Sequence, residues 1–93
     1  MPATVRIPTV LRSSMEGLAS VDADGATIGE VLAGLSLKYP AVSGQLLGQD
    51  GQLHRFLNVY VNDDDVRYLG GLAAPVADGD EVTLLPAVAG GGA

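Results

Sequence analysis

The N-terminal residues alternate between two sides of a predicted strand. One side carries Val5, Ile7, Thr9 and Leu11, and the other carries Thr4, Arg6, Pro8 and Val10. Because successive side chains of a strand point to opposite faces, this alternation predicts a strand that continues to Leu11. Pro8 has no N–H to donate, so we expect a bulge or an unpaired side there. Residues 18–23 predict a second strand, antiparallel to the first.

The next segment has the spacing of a helix. Thr27 is a favourable N-cap residue, and Glu30 three positions later completes a capping box. Apolar residues then recur at helical spacing and form one stripe: Ile28, Val31, Leu32, Leu35 and Tyr39. Pro40 ends the predicted helix, because the residue before a proline disfavours helical dihedral angles. Residues 42–47 predict a further short helical turn.

Three more strands are predicted in the second half, over residues 56–61, 65–67 and 81–85. The predicted order is therefore β-β-α-β-β-β, an α+β fold. One main helix can cover one face of a mixed four- to five-stranded sheet, which is the two-layer β-grasp (ubiquitin-like) architecture. If the first and last strands are neighbours in the middle of the sheet, they run parallel. We expect residues 1–87 to form this domain and residues 88–93 to form a flexible C-terminal Gly-Gly tail.

Composition and charge narrow the possible partners. The chain has 93 residues, of which 47% are hydrophobic, and this favours one folded domain. The formal net charge is −6, and the five basic residues are scattered, which argues against nucleic acid and anionic membranes. Protein partners with basic faces suit an acidic surface better. The sequence shows neither a leader segment nor a long apolar stretch, so we expect a cytoplasmic protein.

The side chains offer little for catalysis, and we expect no enzyme activity. The chain has no cysteine, and His54 is its only histidine, so Cys-based metal sites and His clusters are excluded. Residues 63–65 are three aspartates without the spacing of a calcium loop, and they fit a solvated turn. The phosphate-binding Gly-rich loop is absent, and Lys38 is the single lysine. Any ATP must therefore be bound by a partner.

The C-terminal segment carries the one candidate group. After the last predicted strand the sequence reads Pro86, Ala87, Val88, Ala89, Gly90, Gly91, Gly92, Ala93. Such a run is also typical of a frayed terminus. A C-terminal carboxylate, however, can be adenylated and then converted to a thiocarboxylate without any side chain. Glycines suit this chemistry because they lack a Cβ and can follow a narrow, bent channel in a partner enzyme.

Several segments resemble a known family. Residues 77–91 are similar to the ThiS/MoaD family of sulfur carriers, in which an Asp-Gly turn leads to the last strand and a Pro-Val-Gly-Gly tail. Residues 5–12, 53–63 and 70–73 more closely resemble the actinobacterial carriers that serve cysteine biosynthesis. The resemblance covers nearly the whole chain. It implies a sulfur carrier whose C-terminal glycine becomes a thiocarboxylate.

The resemblance also implies a set of partners. A MoeB/ThiF-like activating enzyme would use ATP to adenylate and thiolate the tail. A pyridoxal-phosphate (PLP)-dependent cysteine synthase would accept the sulfur, and a JAMM-type metalloprotease would release the cysteine. On this basis ATP and PLP belong to partner enzymes, and we expect this chain to bind no cofactor and no metal.

The resemblance assigns roles within the tail. The family's last glycine matches Gly91, with Gly92 as the alternative, and Val88, Ala89 and Gly90 would thread the partner's active site. The family ends at its second glycine, whereas Gly92 and Ala93 follow here, so we expect these two residues to be trimmed before activation.

The outer face of the predicted sheet suggests a docking patch. Strand alternation places three apolar residues there, and a nearby loop adds a fourth: Pro8, Val10, Leu85 and Leu69. Clustered exposed apolar residues are typical of an interaction surface. The tail alone leaves other functions open. These are sulfur supply to molybdopterin, thiamine or a secondary metabolite, a ubiquitin-like protein modifier, and an interaction domain with an inert tail.

Overall fold

Five strands and three α-helices make up residues 2–86, the part of the chain that the computed structural model describes. The strands are β1 (Ala3–Arg6), β2 (Ser20–Ala23), β3 (Leu57–Val61), β4 (Asp64–Asp65) and β5 (Glu81–Pro86). The helices are α1 (Thr9–Arg12), α2 (Ile28–Lys38) and α3 (Ser43–Leu46). Short 3₁₀ turns span Ser13–Met15, Pro40–Val42, Val66–Tyr68 and Gly71–Ala73.

The strands form one mixed sheet in the order β2-β1-β5-β3-β4. β1 runs parallel to β5, with Val5 opposite Val82, and all other pairs are antiparallel. The first and last strands are therefore neighbours inside the sheet, as the sequence predicted. With α2 as the one long helix, the fold is the expected β-grasp, and the α+β prediction is confirmed.

The boundaries of α2 follow its capping residues. The Thr27 hydroxyl accepts a hydrogen bond from the Glu30 N–H at 3.3 Å, and a Glu30 carboxylate oxygen accepts one from the Ala26 N–H at 2.9 Å. Glu30 thus reaches one residue further back than in the usual capping box. The helix ends at Lys38, before Pro40, as predicted.

The core lies between α2 and the inner face of the sheet. The predicted helical stripe is buried, and so are the inward-facing residues of the central strands: Ile28, Val31, Leu32, Leu35 and Tyr39 on the helix side, with Val5, Leu57, Val59, Val61, Val82 and Leu84 on the sheet. Every buried residue in the described part of the chain is hydrophobic. The interior therefore supplies packing and holds no charged side chain, and Tyr39 is the one titratable residue among the described residues buried there.

The prediction that the first strand continues to Leu11 is wrong. β1 ends at Arg6, Pro8 takes an extended conformation (φ −68°, ψ 155°), and the chain then turns into α1. Leu11 and Met15 are both buried, and they are four residues apart, which is the spacing of one helical face. Burial of this pair favours a helical turn over the strand that the alternation suggested.

The short returning strand is also displaced. β4 comprises Asp64 and Asp65, whereas residues 65–67 were predicted, and a 3₁₀ turn begins at Val66. Asp65 explains this break, because its carboxylate accepts a hydrogen bond from the Arg67 backbone N–H at 2.9 Å and so favours a turn. Asn62, with φ +57°, provides the left-handed residue of the tight β3–β4 connection.

The Asp65 carboxylate also binds the Arg67 side chain. The guanidinium donates to both carboxylate oxygens, at 2.8 to 3.2 Å. Hydrogen bonds from the Arg67 side chain, and then from its backbone, lower the pKa of Asp65 below its ordinary value. Because the pKa of Asp65 is lower in the folded than in the unfolded chain, its ionised carboxylate stabilises the fold at neutral pH. This stabilisation is lost as acidification protonates the carboxyl group.

Two glycines are expected to respond in opposite ways to substitution by alanine. Gly25 has φ +152°, and an added Cβ would lie 2.9 Å from the Val31 nitrogen, so Gly25→Ala should lower the free energy of unfolding by about 1–3 kcal/mol. Gly34 lies within α2, and a Cβ there meets nothing within 4 Å. Gly34→Ala should therefore raise stability by about 0.5–1 kcal/mol. Urea unfolding of both variants tests this, and equal effects would contradict it.

Candidate functional site

The candidate tail begins where a central strand ends. β5 lies between β1 and β3, and its last residue, Pro86, is paired with Leu57 of β3. The side chains of Val82 and Leu84 are buried on the face of the sheet that packs against α2, and this packing anchors the strand. The segment after Pro86 is thus attached to the middle of the sheet rather than to a loose edge.

The residues to which the sequence assigned the chemistry lie outside the described residues. These are Gly91, its alternative Gly92, and the threading residues Val88, Ala89 and Gly90. Covalent geometry alone limits where they can reach. Residues 87–91, fully extended, span at most about 18 Å from Pro86.

The predicted docking patch is not one continuous surface. Val10 and Leu85 are 65% and 44% exposed, but Val10 lies on α1 and not on the sheet. Leu69 is 39% exposed and follows the turn beyond the edge strand β4, with β3 between it and the strand of Leu85. Pro8 is half-buried at the start of α1. The placement of Pro8 and Val10 on an outer sheet face is therefore wrong, because β1 has already ended.

A groove that the sequence did not predict opens beside the end of β5. Its volume is about 250 Å³, and its walls come from α1, α3 and the segment before β3. We call it the tail-exit groove, and it is lined by Val10, Leu11, Gln45, His54, Phe56, Leu57 and Pro86. Val10 joins this groove, whereas Leu85 lines a separate shallow cleft with Tyr60 and Thr83 on the outer face of the sheet.

His54 holds one wall of the tail-exit groove in place. Its backbone N–H donates to the Leu46 carbonyl at 3.0 Å, and its carbonyl accepts from the Leu57 N–H at 2.9 Å. Its ring nitrogen Nδ1 accepts a hydrogen bond from the Phe56 N–H at 3.1 Å. His54 lies in the loop before β3, and its contacts indicate a role in shaping the part of that loop that carries Phe56.

Phe56 is the site residue that sequence reasoning missed. It was included as the first residue of a strand, but β3 starts at Leu57 and the Phe56 side chain is 40% exposed. Its ring contacts the His54 ring, with centroids 5.7 Å apart, and the Arg55 guanidinium carbon lies 5.0 Å from its centroid. A lone phenylalanine among polar neighbours before a strand was the available signal. The neighbouring Arg55 is exposed.

Residues 2–86 contain neither a cluster of metal-binding side chains nor a helix that could span a membrane. No three His, Cys, Asp or Glu side chains come together there in a way that would hold a metal ion. None of the helices in the same range has the length and apolar character that a membrane span requires.

Comparison with known proteins gives a consistent picture. Residues 5–91 match the sequence profile of the ThiS family. The sulfur carrier protein CysO of Mycobacterium tuberculosis is 54% identical over 93 residues, covering 98% of this chain and all of that protein. Its crystal structure superposes with a TM-score of 0.86 at 52% identity, over 92% of this chain and 99% of the other.

Two further relatives extend the comparison. A crystal structure of the BexX/CysO complex of Amycolatopsis orientalis contains a chain that superposes with a TM-score of 0.87 at 50% identity, over 96% of this chain and 99% of that one. Small archaeal modifier protein 3 of Haloferax volcanii is 41% identical over 68 residues, or 73% of each chain. Similar chains thus occur both as sulfur carriers and as proteins named modifiers.

Adjacent residues on β5 should tolerate a charge very differently. Leu84 is 1% exposed and Leu85 is 44% exposed, because they point to opposite faces of the sheet. Leu84→Asp buries a charge in an apolar core and should remove most or all of the folding free energy, since native stability is only about 5–15 kcal/mol. Leu85→Asp should change stability by less than about 1 kcal/mol. Thermal unfolding followed by circular dichroism compares them, and an unfolded Leu85→Asp variant would contradict this face assignment.

Proposed function

The chain belongs to the ThiS family, and on that premise we propose that the carboxylate of Gly91 is the group that carries sulfur. The chain is a sulfur carrier protein and not an enzyme. The observation that supports Gly91 is where the family match ends, at residue 91. Gly92 remains the alternative terminus.

The proposed activation takes two steps. The Gly91 carboxylate attacks ATP on a MoeB/ThiF-like activating enzyme, so that an acyl adenylate forms and pyrophosphate leaves. A sulfide donor then attacks the acyl carbon, a carbon–sulfur bond forms, and AMP leaves. Residues 88–91 lie in the enzyme's channel during this exchange. Ala89, Gly90 and Gly91 have small or no side chains and so minimise steric conflict there, while Val88 stays near the entrance.

The sulfur is then handed to a second partner. We propose that, on a PLP-dependent cysteine synthase, the thiocarboxylate sulfur displaces the leaving group of an O-activated serine, so that a carbon–sulfur bond forms and the new cysteine remains attached to the carrier's acyl carbon. A JAMM-type metalloprotease then hydrolyses the bond between that acyl carbon and the cysteine, which releases the cysteine and regenerates the carboxylate. ATP, PLP and zinc belong to these partners in this scheme. We place the exchange in the cytoplasm, because the activating enzyme needs ATP and ATP is available there.

The surface that docks on these partners extends from Pro86, where the tail begins, onto the outer face of the sheet. Of the four residues first assigned to the patch, Val10 and Leu85 lie next to the end of β5, on its two sides. We retain Pro8 because it precedes α1, and we assign Leu69 a peripheral role because β4 and its turn separate it from the others. Leu85 contributes the apolar contact on the outer face.

A second candidate function is attachment of the tail to other proteins. The similarity to Haloferax volcanii small archaeal modifier protein 3 favours it, because an acyl adenylate is also the first intermediate of protein conjugation. Sulfur supply to molybdopterin, thiamine or a secondary metabolite uses the same thiocarboxylate. The acceptor distinguishes these functions: cysteine formation requires the PLP enzyme, whereas a modifier forms an amide with a lysine of a target protein.

The sulfur-carrier function predicts a defined change in mass. With a MoeB-like enzyme, ATP and a sulfide source, the intact mass of the chain ending at Gly91 should rise by the difference between one sulfur and one oxygen atom, and fragmentation should place the change at the C-terminus. Without the enzyme the protein should turn over neither ATP nor small molecules. The enzyme must first be shown to thiolate another carrier of the family. An unchanged mass with that competent enzyme would contradict the proposal.

The position of the working carboxylate predicts an order of reactivity among C-terminal variants. Chains ending at Gly91, Gly92 and Ala93 should be thiolated in that order of decreasing rate, because a reacting group misplaced by even 1 Å can lose about 100-fold in rate. A chain ending at Gly90 serves as the matched control and should also react slowly. Equal rates for the forms ending at Gly91 and Ala93, with Ala93 still present in the product, would show that trimming is not needed.

A further inference from the structure

The length of the tail forces any enzyme that uses it to touch the carrier near Pro86. Residues 87–91 span at most about 18 Å when fully extended. An acyl adenylate has to be shielded from water, which requires an enclosed site some distance from the enzyme surface. The rim of the enzyme's channel must then lie against the residues around Pro86. This constraint rests on the function proposed above.

The tail-exit groove lies directly in that contact zone. Pro86 forms part of it, and Val10 and Phe56 contribute exposed apolar surface, with 65% and 40% of their area accessible. Leu57 and Leu11, both buried, form its floor. A groove of about 250 Å³ with apolar walls is large enough for one apolar side chain of a partner.

Arg55 adds a charge of the opposite sign to that of the whole chain. The net charge is −6, yet none of the residues that line the groove is acidic. Arg6 and Arg67 are paired with Glu81 and Asp65, whereas Arg55 makes no ion pair with any residue in the range 2–86. Arg55 does not line the groove itself, but it stacks on Phe56, which does, so its guanidinium lies next to the groove, at a neighbouring cleft that also contains Asp50.

We propose that the tail-exit groove receives an apolar side chain from the channel rim of the activating enzyme, and that Arg55 pairs with a carboxylate on the same rim. Arginine and aromatic residues beside a desolvated pocket are the typical energetic centres of protein interfaces. The stacked, unpaired arginine selects a partner whose rim is locally acidic, although the rest of this chain favours basic surfaces. The groove thus contributes to the choice of partner enzyme close to Pro86, where the tail begins.

Steady-state thiolation kinetics of chains that all end at Gly91 test this proposal, with two variants in the groove and one at Arg55 beside it; the wild type here is the native sequence with that terminus. Phe56→Ala, Val10→Asp and Arg55→Glu should each raise KM about tenfold or more while kcat stays close to that of the wild type, because the tail and its carboxylate are unchanged. The effect of Arg55→Glu should shrink as the salt concentration rises, and that of Phe56→Ala should not. Thermal unfolding confirms that each variant is folded before it is assayed.

Matched controls come from α2. Leu37 is 83% exposed, and Lys38 is an exposed cation, and neither lines the groove. Leu37→Asp and Lys38→Glu repeat the apolar-to-acid and charge-reversal changes, and both should leave KM unchanged. A KM increase in these controls equal to that of the groove variants would mean that total charge, not the groove, governs binding, and would overturn the proposal.

The remaining outcomes separate this inference from the function on which it rests. If the wild type is thiolated and the groove variants keep its KM, the groove proposal is wrong and the sulfur-carrier function stands. If the groove variants react with a lower KM, residues 87–93 of this chain occupy the groove in the free protein, and the proposal is also wrong. If a competent enzyme does not thiolate the chain that ends at Gly91 and has the native groove, both the inference and the proposed function fail.

Discussion

The parallel pairing of β1 with β5 is the contact on which the rest of the structure depends. These strands come from opposite ends of the chain, so their pairing closes nearly the whole sequence into one sheet. It places β5 between two partners and buries Val82 and Leu84 under α2. A C-terminal strand held on both sides gives the tail a rigid origin, which a strand at the sheet edge would not provide.

β1 pairs with only the first half of β5, and the tail-exit groove lies beside the half that β1 leaves unpaired. β1 accompanies β5 only from Glu81 to Thr83, whereas β3 accompanies it as far as Pro86. In the parallel register, a first strand that continued past Arg6 would have covered the other side of Leu85 and Pro86. Instead the chain turns away at Pro8 into α1, and the space left beside the end of β5 is the tail-exit groove. One early turn in the backbone therefore produces the groove.

The division between interior and surface fits a carrier. The interior of the described residues holds no charged side chain, and Tyr39 is the one titratable residue buried there. In the proposed function, recognition relies on the groove, the exposed apolar residues around β5 and the distribution of charge. A protein of this kind presents a reactive terminus accurately and leaves activation to enzymes, which agrees with its membership in a family of sulfur carriers.

The sequence by itself determined the longer elements, in which the pattern of apolar residues repeats over several helical turns or several strand residues. α2 was predictable because Thr27, Glu30 and Pro40 mark its ends and its apolar stripe is long. β3 and β5 were predictable from their alternating buried residues. The Gly-Gly pair after the last strand indicated the family and the chemistry, although the tail itself lies outside the described residues.

Only the tertiary structure decided the short segments, where local patterns conflict. Residues 7–15 contain a strand-like alternation and also the four-residue spacing of Leu11 and Met15, and the burial of that pair in the core favoured the helical turn. Phe56 likewise fits a strand locally, but the bonds that His54 makes to Leu46, Phe56 and Leu57 leave its ring at the surface. The groove joins four segments that are separate in sequence, and no local pattern reports contacts between distant residues.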